Sequence, residues 1–383
     1  MKISEASAAR ARALHASSFT YDFVPMASPF IRTARHDAVM DAELARQAPL
    51  GRVLRAMMTD RLEEFRSDAE YRKRHAGVWE ASGIKTIQVT LGGIEVDPCS
   101  WDALLRDVAW YSHAERVAGM LRVCRSADEL EAAAREGVLG VLLGTQDAGW
   151  MDPPMERLQL LHHAGTRVLQ LTYNERNRLA DGCSEPADGG LSRFGKSVIA
   201  RCNELGIAVD VSHTGYRSSL EAMEVSSDPV AVTHSACRAL NAHPRAKPDD
   251  VLRSVRDTGG FFGIVAVPAF LASDGRATLD DMLDHVEHAA NIAGPEHVGI
   301  ATDWGAVTPD TPPPLMEATR QAFIRAGFAP DEVPEIGRGL PEFSDWRDWR
   351  NITAGLFERG FDEGQVRQLI GGNWLDYMRR CGL

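Results

Sequence analysis

The chain has 383 residues, 44% of them hydrophobic and 25% charged, a composition that excludes a disordered polymer and fits a globular protein. Acidic residues outnumber basic ones by 54 to 42, a formal net charge of −12, which argues against a general nucleic-acid partner. No apolar stretch reaches membrane-spanning length, so no membrane partner is expected.

Residues 1–15 are polar, charged and Ala-rich and lack the apolar centre of a secretory signal. Cys99, Cys124, Cys183, Cys202, Cys237 and Cys381 are scattered with no C-x-x-C pair, which suits reduced thiols better than a disulfide framework. A cytoplasmic protein is the expectation. The basic stretch 72–75 is short and reads as a solvated helix end.

In chain order, eight apolar runs read as strands: 18–24, 84–91, 138–144, 167–172, 207–211, 229–233, 260–267 and 297–302. Runs such as Val138-Leu-Gly-Val-Leu-Leu and Gly263-Ile-Val-Ala-Val are apolar throughout rather than alternating, as in parallel strands covered on both faces. Residues 32–82 form a helical insertion after the first strand. Helical patterns over 153–164, 191–205, 249–258 and 279–293 separate most later strands, and Gly206 is a natural stop for the second of these. Helices are expected again over about 314–383. The repeated β-α order predicts an α/β fold, a TIM-type (β/α)8 barrel forming a single domain over 1–383. Its core takes about 250 residues, leaving room for insertions.

Such a barrel gathers its chemistry at the carboxyl ends of its strands. Three runs end in ligand-type side chains: 207–211 leads to His213, 229–233 to His234 and 297–302 to Asp303. A lone histidine there is more often structural, but two on successive strands stand roughly 5 Å apart, and neutral imidazole is a common zinc ligand. Asp303 reads as a metal ligand or a proton acceptor, with a helix cap or turn as the plain alternative. Arg245, eleven residues beyond His234, offers a planar fork for a substrate carboxylate, or is a surface residue near a helix start. His162/His163 and His285/His288 lie inside helical patterns and read as structural. The proline-rich stretch 309–314, just past Asp303, is placed to rim a site or to make an ordinary turn.

Several segments together resemble the membrane (renal) dipeptidase family of zinc metallopeptidases, a branch of the amidohydrolase-like metal barrels. They are Leu171-Thr-Tyr-Asn-Glu-Arg-Asn, Gly189-Gly-Leu-Ser-Arg-Phe-Gly, Val209-Asp-Val-Ser-His, Thr233-His-Ser, His243-Pro-Arg, Val298-Gly-Ile-Ala-Thr-Asp and Gly371-Gly-Asn-Trp-Leu. The likeness covers residues 138–383 and is weaker before that. It implies that His213 and His234 hold one zinc, that Arg245 holds a dipeptide's terminal carboxylate and that Asp303 is the catalytic aspartate. It also implies a possible homodimer, and two zinc ions acting on a small peptide or amide with a free carboxylate.

The chain departs from that pattern at three places. The family's first strand ends in Asp-x-His-x-Asp, whereas here it reads Thr20-Tyr-Asp-Phe-Val-Pro-Met. Asp22 then matches either the first carboxylate, leaving Val24 and Met26 at the ligand positions, or the second, leaving Thr20 for the histidine. Gln146 stands where the bridging glutamate is expected, with Asp147 beside it as a possible substitute. Tyr173 replaces the substrate-polarising histidine and can still donate a hydrogen bond to an oxyanion. Asp22 stands with His213, His234 and Gln146 among the candidate metal ligands, and a one-zinc site using His213 and His234 with Gln146 or Asp303 is the conservative form of the metallodipeptidase reading. A lyase or isomerase step on the same fold, or a metal-free non-catalytic homologue, are its alternatives.

Overall fold

Leu139–Thr145 is buried at every position, and so is Thr86–Leu91. Such burial requires cover on both faces, by helices outside and by side chains of other strands inside. The computed structural model describes residues 1–24, 29–92, 100–304, 313–325, 328, 330 and 339–383. Its strands are β1 (Tyr21–Val24), β2 (Thr86–Leu91), β3 (Leu121–Cys124), β4 (Leu139–Thr145), β5 (Thr166–Gln170), β6 (Ala208–Asp210), β7 (Ala231–Ser235), β8 (Phe261–Ile264) and β9 (Val298–Ile300). All pairs are parallel, in the order β1-β2-β4-β5-β6-β7-β8-β9, with β3 paired to β4 outside that path.

Each of the eight strands read from the sequence is present, making a nearly closed TIM-type barrel. The ninth, β3, went unread. Its four residues, Leu-Arg-Val-Cys, are too short and too polar to stand out as an apolar run. β3 lies beside the first half of β4, from Leu139 to Leu142, and β5 takes over from Leu143.

The seam between β1 and β9 is closed by a side chain. Asp22 accepts from the Thr302 amide at 2.7 Å, the Thr302 hydroxyl at 2.8 Å and the Trp349 indole at 3.1 Å. One residue further along, the Asp303 amide donates to the Phe23 carbonyl at 3.1 Å. This buried carboxylate thereby ties the first strand to the last and to the helix Trp349–Glu358.

Helices fill the connections as read, including Ala34–Ala45, Leu50–Ser67 and Ala69–Ser82 between β1 and β2. Arg193–Leu205 shows why the boundaries fall where they do. The Ser192 hydroxyl accepts from the Gly195 amide at 2.9 Å at the start, and Gly206 at φ 64° ends the helix, turning the chain into β6. The last helix, Asn373–Arg380, packs across the amino ends of the strands. There Trp374 stacks on Tyr21 at 4.7 Å and meets Phe261 edge-on at 5.0 Å. That end is sealed, so the opposite, carboxyl end is left for chemistry. No helix among the described residues is long and apolar enough to cross a membrane. Met26 and residues 309–312 of the proline-rich stretch lie outside the described residues.

Candidate active site

At the carboxyl end of the barrel, β6 and β7 deliver the two histidines. His213 follows β6 by three residues, and His234 is the fourth residue of β7. Their Nε2 atoms face each other at 3.1 Å with the rings inclined at 58°. Two nitrogens on one tetrahedral zinc, each about 2.0–2.1 Å from it, stand about 3.3 Å apart, so the spacing suits a shared cation. Gln146, just past β4, brings its side-chain amide to 3.4 Å from His234 Nε2. Three polar groups thus converge on one point.

Not every expected residue joins them. Among the described residues, no group of three or more His, Cys, Asp or Glu side chains is arranged to hold a metal. Asp22 stands apart, with its oxygens occupied at the β1–β9 seam. Asp147 does not stand in for the missing glutamate. Its carboxylate accepts from the Asn177 amide at 2.8 Å, the Gly149 amide at 2.9 Å and the Tyr173 amide at 3.3 Å, so it braces the loop after β5. Phe23 of β1 lies flat on the His234 ring, 4.0 Å away and inclined by only 6°. An aromatic face from β1 therefore covers His234.

Electrostatics separate the groups by role. Burial first, and then the nearby Arg245 charge, hold both imidazoles well below the usual histidine range, so both are neutral at pH 7. Burial lifts the Asp303 carboxyl to about 7 against the pull of Arg245. Asp303 also has a left-handed backbone, φ 54°, unusual for a residue with a side chain. Tyr173 stacks on His213 at 4.2 Å, and burial, reinforced by the Asp303 charge, raises its phenol, so it stays protonated.

Arg245 is 1% exposed. One of its terminal nitrogens donates to the Ser212 carbonyl, the other to the His234 carbonyl at 3.1 Å, and the guanidinium lies 5.4 Å from the centre of the Phe270 ring. Its Nε is buried without a hydrogen-bond partner, and no carboxylate among the described residues pairs with it. This leaves a buried positive charge beside the histidines with no direct ion pair, its field felt by Asp303. Lys247, two residues on, is also buried and donates to the Thr214 carbonyl and the Ser219 hydroxyl; burial lowers its ammonium to about 7.

Lys247, Phe23, Asn174 (its amide oxygen 2.7 Å from His213 Nδ1) and Asp210 (accepting from the Thr233 hydroxyl at 2.7 Å) were missed as site residues in the sequence. The only signal was their place inside or beside the motif segments, with no spacing rule to mark them. The helical pair His285/His288 is structural, as read. His285 accepts from the Cys237 amide at 2.9 Å and meets the Leu271 carbonyl at 3.0 Å, while His288 pairs with Asp249 at 2.8 Å.

Residues 101–320, more than half of the chain, match the family model described as Membrane dipeptidase (Peptidase family M19). The chain belongs to the membrane dipeptidase family. A dipeptidase of Clonostachys rogersoniana, verJ, is 33% identical over 266 residues, which are 69% of this chain and 61% of that protein. The match therefore spans about three fifths of that relative's length. Among solved structures, an amidohydrolase from Pseudomonas aeruginosa superposes with a TM-score of 0.73 at 24% identity, over 97% of this chain and 98% of that one. A metallo peptidase from Rhodobacter sphaeroides, solved with a phosphinate mimic of the dipeptide L-Ala-D-Ala, gives 0.65 at 20% identity, over 83% and 96%. At such identities the structural likenesses carry the TIM-type barrel and nothing finer.

Proposed function

We propose that this member of the membrane dipeptidase family is a metallohydrolase that cleaves a dipeptide or similar small amide bearing a free carboxylate, using one zinc ion. The observation that carries this reading is the pair of neutral imidazoles whose Nε2 atoms face each other at 3.1 Å at the carboxyl ends of β6 and β7. His213 and His234 would hold the ion, and the Gln146 amide, whose Nε2 faces His234, would turn its oxygen to the ion as a third, neutral ligand. Lewis acidity is what a divalent cation supplies there: it polarises a carbonyl and makes water acidic near neutral pH.

The remaining roles fall to the chain's own groups. Asp303, with its carboxyl lifted to about 7, accepts the proton that water gives up and returns it to the leaving amine. Tyr173, held protonated over His213, donates to the oxyanion that develops on the scissile carbonyl. Arg245 anchors the substrate carboxylate; the support is its buried charge without a direct ion pair and its unpartnered Nε.

One ion rather than two is favoured by Phe23 lying on His234, by the engagement of Asp22 at the barrel seam, and by Gln146. A neutral amide does not offset the repulsion between two dications. The test is metal analysis joined to dipeptide hydrolysis. One zinc equivalent is expected, with hydrolysis lost on chelation, restored by zinc, and reduced at least about a hundredfold in His213→Ala and His234→Ala. One bound zinc without hydrolysis would favour a lyase or isomerase step on the same carboxylate-bearing substrate. Hydrolysis that survives either substitution would sink the reading.

A further inference from the structure

We infer that Asn174 and Thr233 are positioning residues that hold both histidines with the proton on Nδ1, so that two unprotonated Nε2 atoms confront each other. The inference rests on the one-ion reading for its purpose but not for its geometry.

On the His234 side, the argument follows the hydroxyl hydrogens. Asp210 is buried, and its Oδ1 accepts from the Ser212 amide at 2.9 Å, the Ser212 hydroxyl at 2.6 Å and the Thr233 amide at 3.1 Å. Its Oδ2 accepts from the Thr233 hydroxyl at 2.7 Å. That hydroxyl has spent its only hydrogen on Asp210, yet it lies 2.8 Å from His234 Nδ1. Burial raises the Asp210 carboxyl, but its four donors favour the ionised form; with Asp210 ionised the Thr233 hydroxyl can only accept from the ring, so His234 Nδ1 carries the proton. The Ser212 hydroxyl, committed to Asp210 in the same way, also accepts from the His234 amide at 3.0 Å and so fixes the backbone that presents the ring.

On the His213 side, the Asn174 amide oxygen lies 2.7 Å from Nδ1 and also accepts from the Cys183 thiol at 3.4 Å. The thiol's donation sets the amide with its oxygen towards the ring, and an accepting oxygen there puts the second ring proton on Nδ1 as well. The same orientation leaves Asn174 Nδ2 buried with no partner. Both Nε2 atoms then carry lone pairs with no hydrogen between them. Only a cation, or a donor such as the Gln146 amide at 3.4 Å, relieves that contact.

The test has two arms. In the metal-free protein labelled with 15N-histidine, NMR correlation of ring nitrogens with ring protons is expected to give the Nδ1–H pattern for His213 and His234; an Nε2–H pattern at either overturns the inference. In the second arm, Co2+ and Zn2+ affinities are measured by absorbance and by competition with a chromophoric chelator. Thr233→Val and Asn174→Leu are expected to weaken binding about 10–100-fold, while Thr233→Ser and Asn174→Asp, which keep the accepting oxygen, stay close to the unsubstituted protein. Equal binding by all four variants, or equal loss in all four, overturns the positioning roles. Should the unsubstituted protein bind neither ion, the metal reading fails, and the NMR arm still decides the tautomers.

Discussion

Asp303 combines a left-handed backbone, an amide tied to the Phe23 carbonyl and a carboxyl lifted to about 7. In the proposed role of base it acts only when ionised, so kcat/KM for a dipeptide is expected to rise with pH through about 7. Asp303→Asn should remove that limb and lower kcat/KM by about 10²–10⁴-fold, which a pH–rate profile checks. The sign for stability is opposite. A carboxyl that binds its proton more tightly in the folded than in the unfolded chain makes folding less favourable as pH rises from about 4 towards 7. Asp303→Asn is therefore expected to raise the urea midpoint at pH 8, a stability gained at the expense of activity. Asp22, whose carboxyl burial also lifts to about 7, serves the seam instead: Asp22→Ala strands three buried donors, and urea unfolding should report a loss of about 3 kcal/mol. At this scale the sequence was informative about residue type and poor about direction. His213, His234 and Asp303 could be picked out because each ends an apolar run. Nothing in the string said that Asp22 would face the seam or that Asp147 would turn to Asn177.

At the level of strands and helices, β7 and β8 approach closely because Gly263 has no side chain. A Cβ there would strike the Thr233 carbonyl and lie 2.7 Å from the Ala301 methyl. Gly263→Ala is expected to be destabilising by about 1–3 kcal/mol. It should also weaken zinc binding, since the displaced residue adjoins His234. Gly119 is the control: it has positive φ, 68°, but a Cβ there would meet no atom within 4 Å, so Gly119→Ala should lose only about 1–2 kcal/mol and leave zinc affinity unchanged. Denaturant midpoints and chelator competition measure both. Strand positions were legible because burial on both faces removes polar residues from the run, as in Leu139–Thr145. β3 was not, because Arg122 is only partly buried and breaks the run, and a four-residue strand has little pattern to give.

For the molecule as a whole, a cation held by residues on separate strands binds the folded chain and not the unfolded one. Zinc at about 100 times its dissociation constant should therefore stabilise the protein by about 2.7 kcal/mol, seen as a concentration-dependent rise in Tm that His234→Ala abolishes. The sequence alone determined the barrel, through the order of apolar runs and amphipathic helices. It also determined the membrane dipeptidase family, through seven motif segments in order, because both are written in local patterns a few residues long. Which polar groups meet was decided by the tertiary structure. The 3.1 Å approach of His213 to His234, Phe23 lying on His234, and the closure of β1 onto β9 by Asp22 all join residues between 21 and 280 positions apart. Such contacts depend on strand register and side-chain direction, which are set by packing the whole ring at once.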